Sequence, residues 1–190
     1  MADPILIAPR VIESQVKDAN GSLITVEQVS RESGVWRHLV SALVNSLVRN
    51  KTLARAYLTS NQAINHNTPT VVVGYTESKD IGGNFNPDTG IYYAPVAGLY
   101  HVDYSVLFYD AESKLTIAAA YLYLGVAAVS TGTYWSGTDK AYAGSSGGDI
   151  IEMAAGDGIY LVGLMQTSDS SAVVMLAGVN TRLAVHLIST

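Results

Sequence analysis

At 190 residues the chain has room for one domain of ordinary size and a small appendage, and 48% apolar against 14% charged residues is a greasy balance for a protein that works alone in water. The absence of cysteine excludes a disulfide framework and a thiolate metal site, and no run reaches the roughly 18 to 20 apolar residues that a membrane helix needs. The net charge of −5 arises beyond residue 50, where six basic side chains face eleven acidic ones, and that argues against a nucleic-acid-binding face.

The first ten residues, MADPILIAPR, are apolar and hold prolines at positions 4 and 9. Proline lacks the backbone donor that a helix interior or a central strand requires, so this stretch suits an extended arm lying on another surface. Met-Ala-Asp-Pro lacks the basic region and apolar core of a secretory signal, so the chain is expected to fold in a cytosol. Val11 to Lys17 and Leu23 to Val29 are strand-like and flank Asp18-Ala19-Asn20-Gly21. Asn-Gly adopts positive φ readily, which predicts a β-hairpin. A lone short hairpin is marginal in water and needs a partner.

From about Gly34 to Asn50 apolar residues recur in adjacent pairs every four positions, and Trp36, Leu39, Val40, Leu43 and Leu47 fall on one broad stripe. Arg37, His38, Ser41, Asn45 and Arg49 fill much of the opposite face, so the spacing predicts an amphipathic helix. The helix packs either on its own hairpin or with its copies about a threefold axis or a larger assembly. Residues 1–50 hold too little material to cover the stripe alone, which favours the second reading. This segment is read as a docking or trimerisation module, and residues 51–190 as a separate β domain.

Beyond Leu53 the pattern is strand and turn. Ala54 to Thr59, Thr70 to Tyr75, Ile91 to Val96, Leu99 to Phe108, Leu115 to Val126, Asp149 to Met153, Gly158 to Met165, Ala172 to Ala177 and Leu183 to Ile188 are rich in β-branched and aromatic residues. Asn61 to Pro69 and Ser130 to Gly137 read as loops. About ten short strands separated by Gly, Asp and Ser turns predict an antiparallel sandwich. The run after Gly98 alternates strictly, with Tyr100, Val102, Tyr104 and Val106 on one side and His101, Asp103 and Ser105 on the other, as in a strand with one buried and one wet face.

Between Asp80 and Tyr104 an acidic residue is followed by an aromatic five positions later, another seven after that, and then a Gly-x-Tyr-x-x-x-aromatic run: Asp80, Phe85, Tyr92, Gly98, Tyr100 and Tyr104. In this spacing the chain resembles the globular head domain of complement component C1q. It departs at Val102, where that family prefers Phe, and at Gly74, where an earlier aromatic is usual. Gly148 to Met153 with Gly156 to Ile159, and Ala177 to Ile188, are similar to the family's later paired strands and C-terminal strand, so the likeness spans residues 53–190. It implies an all-β, ten-stranded antiparallel jelly roll of the C1q and tumour-necrosis-factor type, assembled as a homotrimer.

The strand-like run from Leu115 is apolar on both sides. Alternation places Leu115, Ile117, Ala119, Tyr121 and Tyr123 on one face and Ala118, Ala120, Leu122 and Leu124 on the other. A strand with two apolar faces needs cover on each, and a threefold axis supplies it, so the first five are expected at the trimer interface. Tyrosine is abundant, twelve against two phenylalanines. Tyr134 and Trp135 either supply bulk or form an exposed aromatic platform for a sugar or protein ligand.

Gly144-Ser145-Ser146-Gly147-Gly148 satisfies a G-x-S-x-G pattern, and Asp157 or Asp169 followed by His186 gives the order of a hydrolase triad. The chemistry requires a strained strand-to-helix turn, whereas this motif runs into the strand-like Asp149 to Met153, so it is read as a flexible turn and no enzyme is expected. His38, His66, His101 and His186 never reach metal-ligand spacing with one another, and His101, beside Asp103 on the wet face of its strand, is read as an ordinary exposed histidine rather than a member of a surface metal site. Asp80, Asp88, Asp110, Asp139 and Asp169 raise the question of calcium, but none lies in a dense oxygen-ligand loop, and no cofactor is expected.

An arm, hairpin and helix joined to a cysteine-free trimeric knob looks like a bacteriophage virion protein. Such a protein would be a fibre, spike or decoration protein on head or tail. Residues 1–50 would anchor it to capsid or tail proteins, and the knob would stabilise the shell or bind a host cell-surface glycan or protein. Neither nucleic acid nor membrane insertion is expected. The alternative is a soluble C1q-like lectin or ligand-binding module outside any virion.

Overall fold

The computed structural model describes residues 15–17, 23–25 and 52–190. The chain divides into two units, Met1–Asn50 and Lys51–Thr190. In the first, β1 (Gln15–Lys17) pairs antiparallel with β2 (Leu23–Thr25), Gln15 opposite Thr25 and Lys17 opposite Leu23, which is the hairpin the Asn-Gly turn predicts. The helix expected from Gly34 to Asn50, with Trp36, Leu39, Val40, Leu43 and Leu47, and the extended arm before the hairpin lie outside the described residues.

The second unit is built from two antiparallel sheets, each of seven strands among the described residues. The front sheet is centred on β10 (Leu115–Leu124) and β14 (Gly158–Thr167). Outward from β10 it holds β11 (Ala127–Thr131) and β12 (Trp135–Lys140). Beyond β14 it holds β5 (Thr70–Val71), β8 (Ile91–Tyr93) and β7 (Phe85–Asn86). The back sheet is centred on β9 (Gly98–Tyr109), with β13 (Tyr142–Met153) along one side. On its other side lie β16 (Gly178–Ser189), then β3 (Leu53–Leu58) and β6 (Tyr75–Ile81). At the far end of β9, β15 (Val173–Met175) pairs with it and with β4 (Gln62–Ile64).

Alternation decides what lies between the sheets. From β9, Tyr100, Val102, Tyr104, Val106 and Phe108 point inward and are at most 2% exposed. They meet Leu115, Ala118, Ala120 and Leu122 of β10 and Ile159, Leu161 and Met165 of β14, all fully buried. Burying a large apolar side chain stabilises a fold by about 1.5–3 kcal/mol, and these central strands supply most of them.

Several sequence expectations change in detail. Thr70 to Tyr75 is not one strand: β5 ends at Val71 in the front sheet, and β6 begins at Tyr75 in the back sheet. The run expected to continue to Val126 ends at Leu124, and the chain returns as β11, with Leu124 opposite Ala127. The Asn61 to Pro69 loop contributes β4, and Trp135 begins β12 rather than sitting in a loop. The Gly-Ser segment read as a flexible turn is instead the interior of β13, with Ser146 opposite Ser105 and Gly147 opposite Tyr104. A Cβ at Gly147 would stand 2.6 Å from the Tyr104 hydroxyl, so this strand needs glycine where the ring crosses it.

The aromatic spacing now has a physical reason. Tyr75 and Phe85 meet edge-to-face at 5.3 Å, and Tyr92 meets Tyr100 edge-on at 6.0 Å. The Asp80 carboxylate accepts the Phe85 N–H at 3.1 Å and the Asn84 N–H at 3.4 Å, pinning the loop that delivers Phe85. Gly98 is required by close approach, since a Cβ there would lie 2.3 Å from the Ser189 carbonyl oxygen of β16. Tyr100 donates to the Val96 carbonyl at 2.7 Å, and Tyr104 shares a hydrogen bond with Ser130 Oγ at 3.0 Å. The aromatic missing at Gly74 arrives one residue later, as Tyr75.

The hydroxyls of Tyr75 and Tyr92 are buried without a hydrogen-bond partner. Burial pushes both phenols well above the ordinary tyrosine range, with Tyr100 and Asp80 adding to the effect at Tyr92. Tyr75→Phe and Tyr92→Phe are therefore expected to leave the fold equally stable or up to about 1 kcal/mol more stable. Tyr100→Phe strips the Val96 carbonyl of its donor and should cost about 1 kcal/mol; urea unfolding of the three variants checks both statements. Because unfolded phenols ionise near pH 10 while these stay protonated in the fold, the unfolded state binds fewer protons above pH 10. Stability should be unaffected by these groups below that pH and fall above it, by up to about 1.4 kcal/mol per pH unit for a phenol as deeply buried as Tyr75. Tyrosinate absorbance should rise together with unfolding rather than before it.

Candidate functional site

Around β10 and β14 the front sheet presents an outward face without charge, Asp139 and Lys140 standing on its edge strand β12. On β10 it carries Ile117, Ala119, Tyr121 and Tyr123, and the register places Leu164, Val162 and Tyr160 of β14 opposite the last three. Tyr123 and Tyr160 stack at 5.6 Å with ring planes 19° apart, and Tyr160 donates to the Gly125 carbonyl at 2.8 Å. Val71 and Tyr93 extend the face across β5 and β8, and both are exposed.

The five residues expected at a trimer interface do not share this face. The β10 register shifts between Leu115 and Ile117 in its pairing with both β14 and β12. A bulge inverts alternation, so Leu115 joins Ala118, Ala120 and Leu122 inside the sandwich and is fully buried. It is unavailable to a neighbour, and its place in that set is corrected. Ala119 is also completely covered within one chain, whereas Ile117, Tyr121 and Tyr123 are half-buried.

The outward face of the back sheet is mixed. Leu99, Tyr142 and Ile150 are exposed there at 40%, 58% and 56%, more than the outward side chains of β10. Among them stand Asp103, Arg182 and Arg55, so apolar and charged groups alternate across the sheet. His101 of β9 and His186 of β16 lie directly opposite each other, ring centroids 5.0 Å apart, with Ile150 of β13 opposite His101 on the other side. Asp103 Oδ2 stands 3.4 Å from His101 Nδ1. Spacing along the chain gives no hint of this pair, because 85 positions separate the two histidines; only strand register unites them.

Tyr134 is exposed at 53%, but Trp135 is half-buried on β12 with its ring over Gly137, where a Cβ would lie 2.9 Å from the indole. The hydrolase pattern has no catalytic geometry. Ser146 is level with Ser105 and His186 with His101, four residues further along β9, which is about 13 Å in an extended strand. The shallow groove of about 370 Å³ beside Ser146 has Arg182 as its single titratable lining residue.

Asp110, Asp157 and Asp169 are taken up by backbone N–H groups and by Lys114. Asp110 accepts the N–H groups of Glu112 and Lys114, and Asp157 accepts that of Ala154. Asp169 accepts from Lys114 Nζ at 2.6 Å and from the Ser171 N–H, and Glu112 also takes a hydrogen bond from Lys114. These hydrogen bonds, that of Lys114 first, hold the Asp169 carboxyl well below the usual carboxylate range. Among the described residues no group of three or more histidine and acidic side chains is arranged to hold a metal ion.

No protein-family model matches the sequence, and no curated protein matches it. Solved structures do. The globular domain of zebrafish complement 1qA is 11% identical, with a TM-score of 0.51 over 73% of this chain and 98% of that one. Eiger TNF from S. frugiperda is 11% identical, with a TM-score of 0.51 over 73% of this chain and 94% of its own. Murine APRIL is 14% identical, with a TM-score of 0.53 over 72% of this chain and 98% of its own. At these identities the likeness concerns architecture alone: the chain has the antiparallel jelly-roll fold of C1q and TNF globular domains.

Proposed function

We propose that the chain is a non-enzymatic, homotrimeric structural protein of a bacteriophage particle, a fibre, spike or decoration protein of head or tail. In this reading residues 1–50 anchor it to capsid or tail proteins, and the jelly-roll unit projects to stabilise the shell or to bind a host-surface glycan or protein. The observation that carries the assembly is apolar area left uncovered on the outward sheet faces: Tyr93 and Val71 beside Tyr123 and Tyr160 on the front, Leu99, Tyr142 and Ile150 on the back. Neighbouring copies are the economical cover for such surfaces, and closed cyclic rings are the usual arrangement. The division of the chain at residue 50, with the apolar spacing of Trp36 to Leu47 in the sequence of the first unit, supports an anchor distinct from the knob.

The front face is the proposed subunit contact because its centre on β10 and β14 lacks charge; the larger exposure of Ile150 and Leu99 favours the back face as a second reading. A charge distinguishes the two. Ala119 is unsuitable for this purpose, since a charge at a fully covered position disturbs the fold itself. Tyr123→Glu is expected to release folded monomers, whereas Ile150→Glu does so if the back face holds the copies together. Multi-angle light scattering reads the result, and two variants that both keep the wild-type mass would overturn assembly through the sheet faces.

For the anchor, Leu39→Asp combined with Leu43→Asp should leave the oligomeric mass unchanged while removing the chain from purified particles. Normal incorporation of that variant, or absence of the wild-type chain from the particles, counts against the virion reading. In the latter case a soluble C1q-like ligand-binding module takes its place.

A further inference from the structure

We infer that His101 and His186 form a two-imidazole chelate for a first-row divalent transition metal ion on the outward face of the back sheet. The two residues are direct cross-strand partners on β9 and β16, and their ring centroids are 5.0 Å apart. Metal–nitrogen bonds of about 2.0–2.1 Å at a near-tetrahedral angle place the centroids of two ligating imidazoles about 5 Å apart. Cross-strand pairing therefore keeps both rings at a centroid separation that suits a shared ion, and rotation of the side chains is left to aim the nitrogens.

Asp103 places a carboxylate behind the His101 ring. His101 Nδ1 is shielded from solvent and has no aligned hydrogen-bond partner within the chain, while Asp103 Oδ2 stands 3.4 Å from it. A small shift closes that contact into an Nδ1–H···carboxylate hydrogen bond. Such a bond fixes the tautomer, leaves Nε2 for the ion and raises its basicity. His186 is exposed and free to turn toward the same point. Two nitrogen ligands with water in the remaining positions suit copper, nickel or zinc rather than calcium or magnesium, which prefer oxygen. Gly148 of β13 lies opposite Asp103 and adds no side chain of its own over this carboxylate.

Equilibrium dialysis of the intact, untagged chain against Ni²⁺ tests the assignment. One saturable ion per chain is expected, lost alike in His101→Asn and in His186→Asn and retained in His38→Asn and His66→Asn. Asp103→Asn should weaken it by about tenfold. Circular dichroism identifies the folded variants to which the comparison applies. Saturable binding that survives the loss of either His101 or His186, or no saturable binding by the folded wild-type chain, overturns the assignment. The assay does not depend on whether the chain belongs to a virion.

Discussion

The layer of aromatic side chains between the two sheets is the constraint on which the rest of this structure depends. Tyr92 reaches down from β8 in the front sheet and Tyr100 up from β9 in the back sheet, and they meet edge-on. Tyr75 and Phe85 make a second such contact between β6 and β7, strands of opposite sheets. Rings of this size set the spacing between the sheets, and neighbouring positions must adapt. Gly98 and Gly147 are small because the Ser189 backbone and the Tyr104 ring occupy the space a Cβ would need. The motif from Asp80 to Tyr104 thus describes a packed layer rather than a binding site, since its side chains face inward.

Most of the architecture could be read from periodicity because the central strands obey it. Tyr100 to Phe108 alternates without interruption, and its inward set is the one that sequence pattern selects. The failures occur where geometry departs from strict alternation. The bulge after Leu115 reverses the sidedness of one residue and moves it from a presumed interface into the core. Gly144 to Gly148 looks like a turn by composition, yet it pairs residue for residue with Leu107 to Asp103 because bulky side chains of β9 fill the space that glycine leaves. Short ladders such as β4 and β7 carry too few residues to show any period.

The surface features were less legible, for a different reason. His101 and His186 become neighbours only through the register of β9 with β16, a non-local pairing that no spacing rule contains. Trp135 lies in a segment of polar and glycine residues that leaves bulk and exposed platform equally open, and pairing with Ala118 draws it onto the edge of the front sheet and half-buries it. By contrast, the apolar excess noted in the composition has a clear physical location. It stands on the outward faces of a sandwich whose interior is already filled, which is why copies of the chain, rather than a larger core, are the proposed cover.

That proposal concerns the intact chain in solution, and its mass by sedimentation equilibrium is the most direct test. Three copies of a 20.1 kDa chain predict a particle of about 60 kDa that persists on dilution. A folded, soluble species of 20.1 kDa would contradict the account, because the outward apolar faces would then be stable in water without a partner.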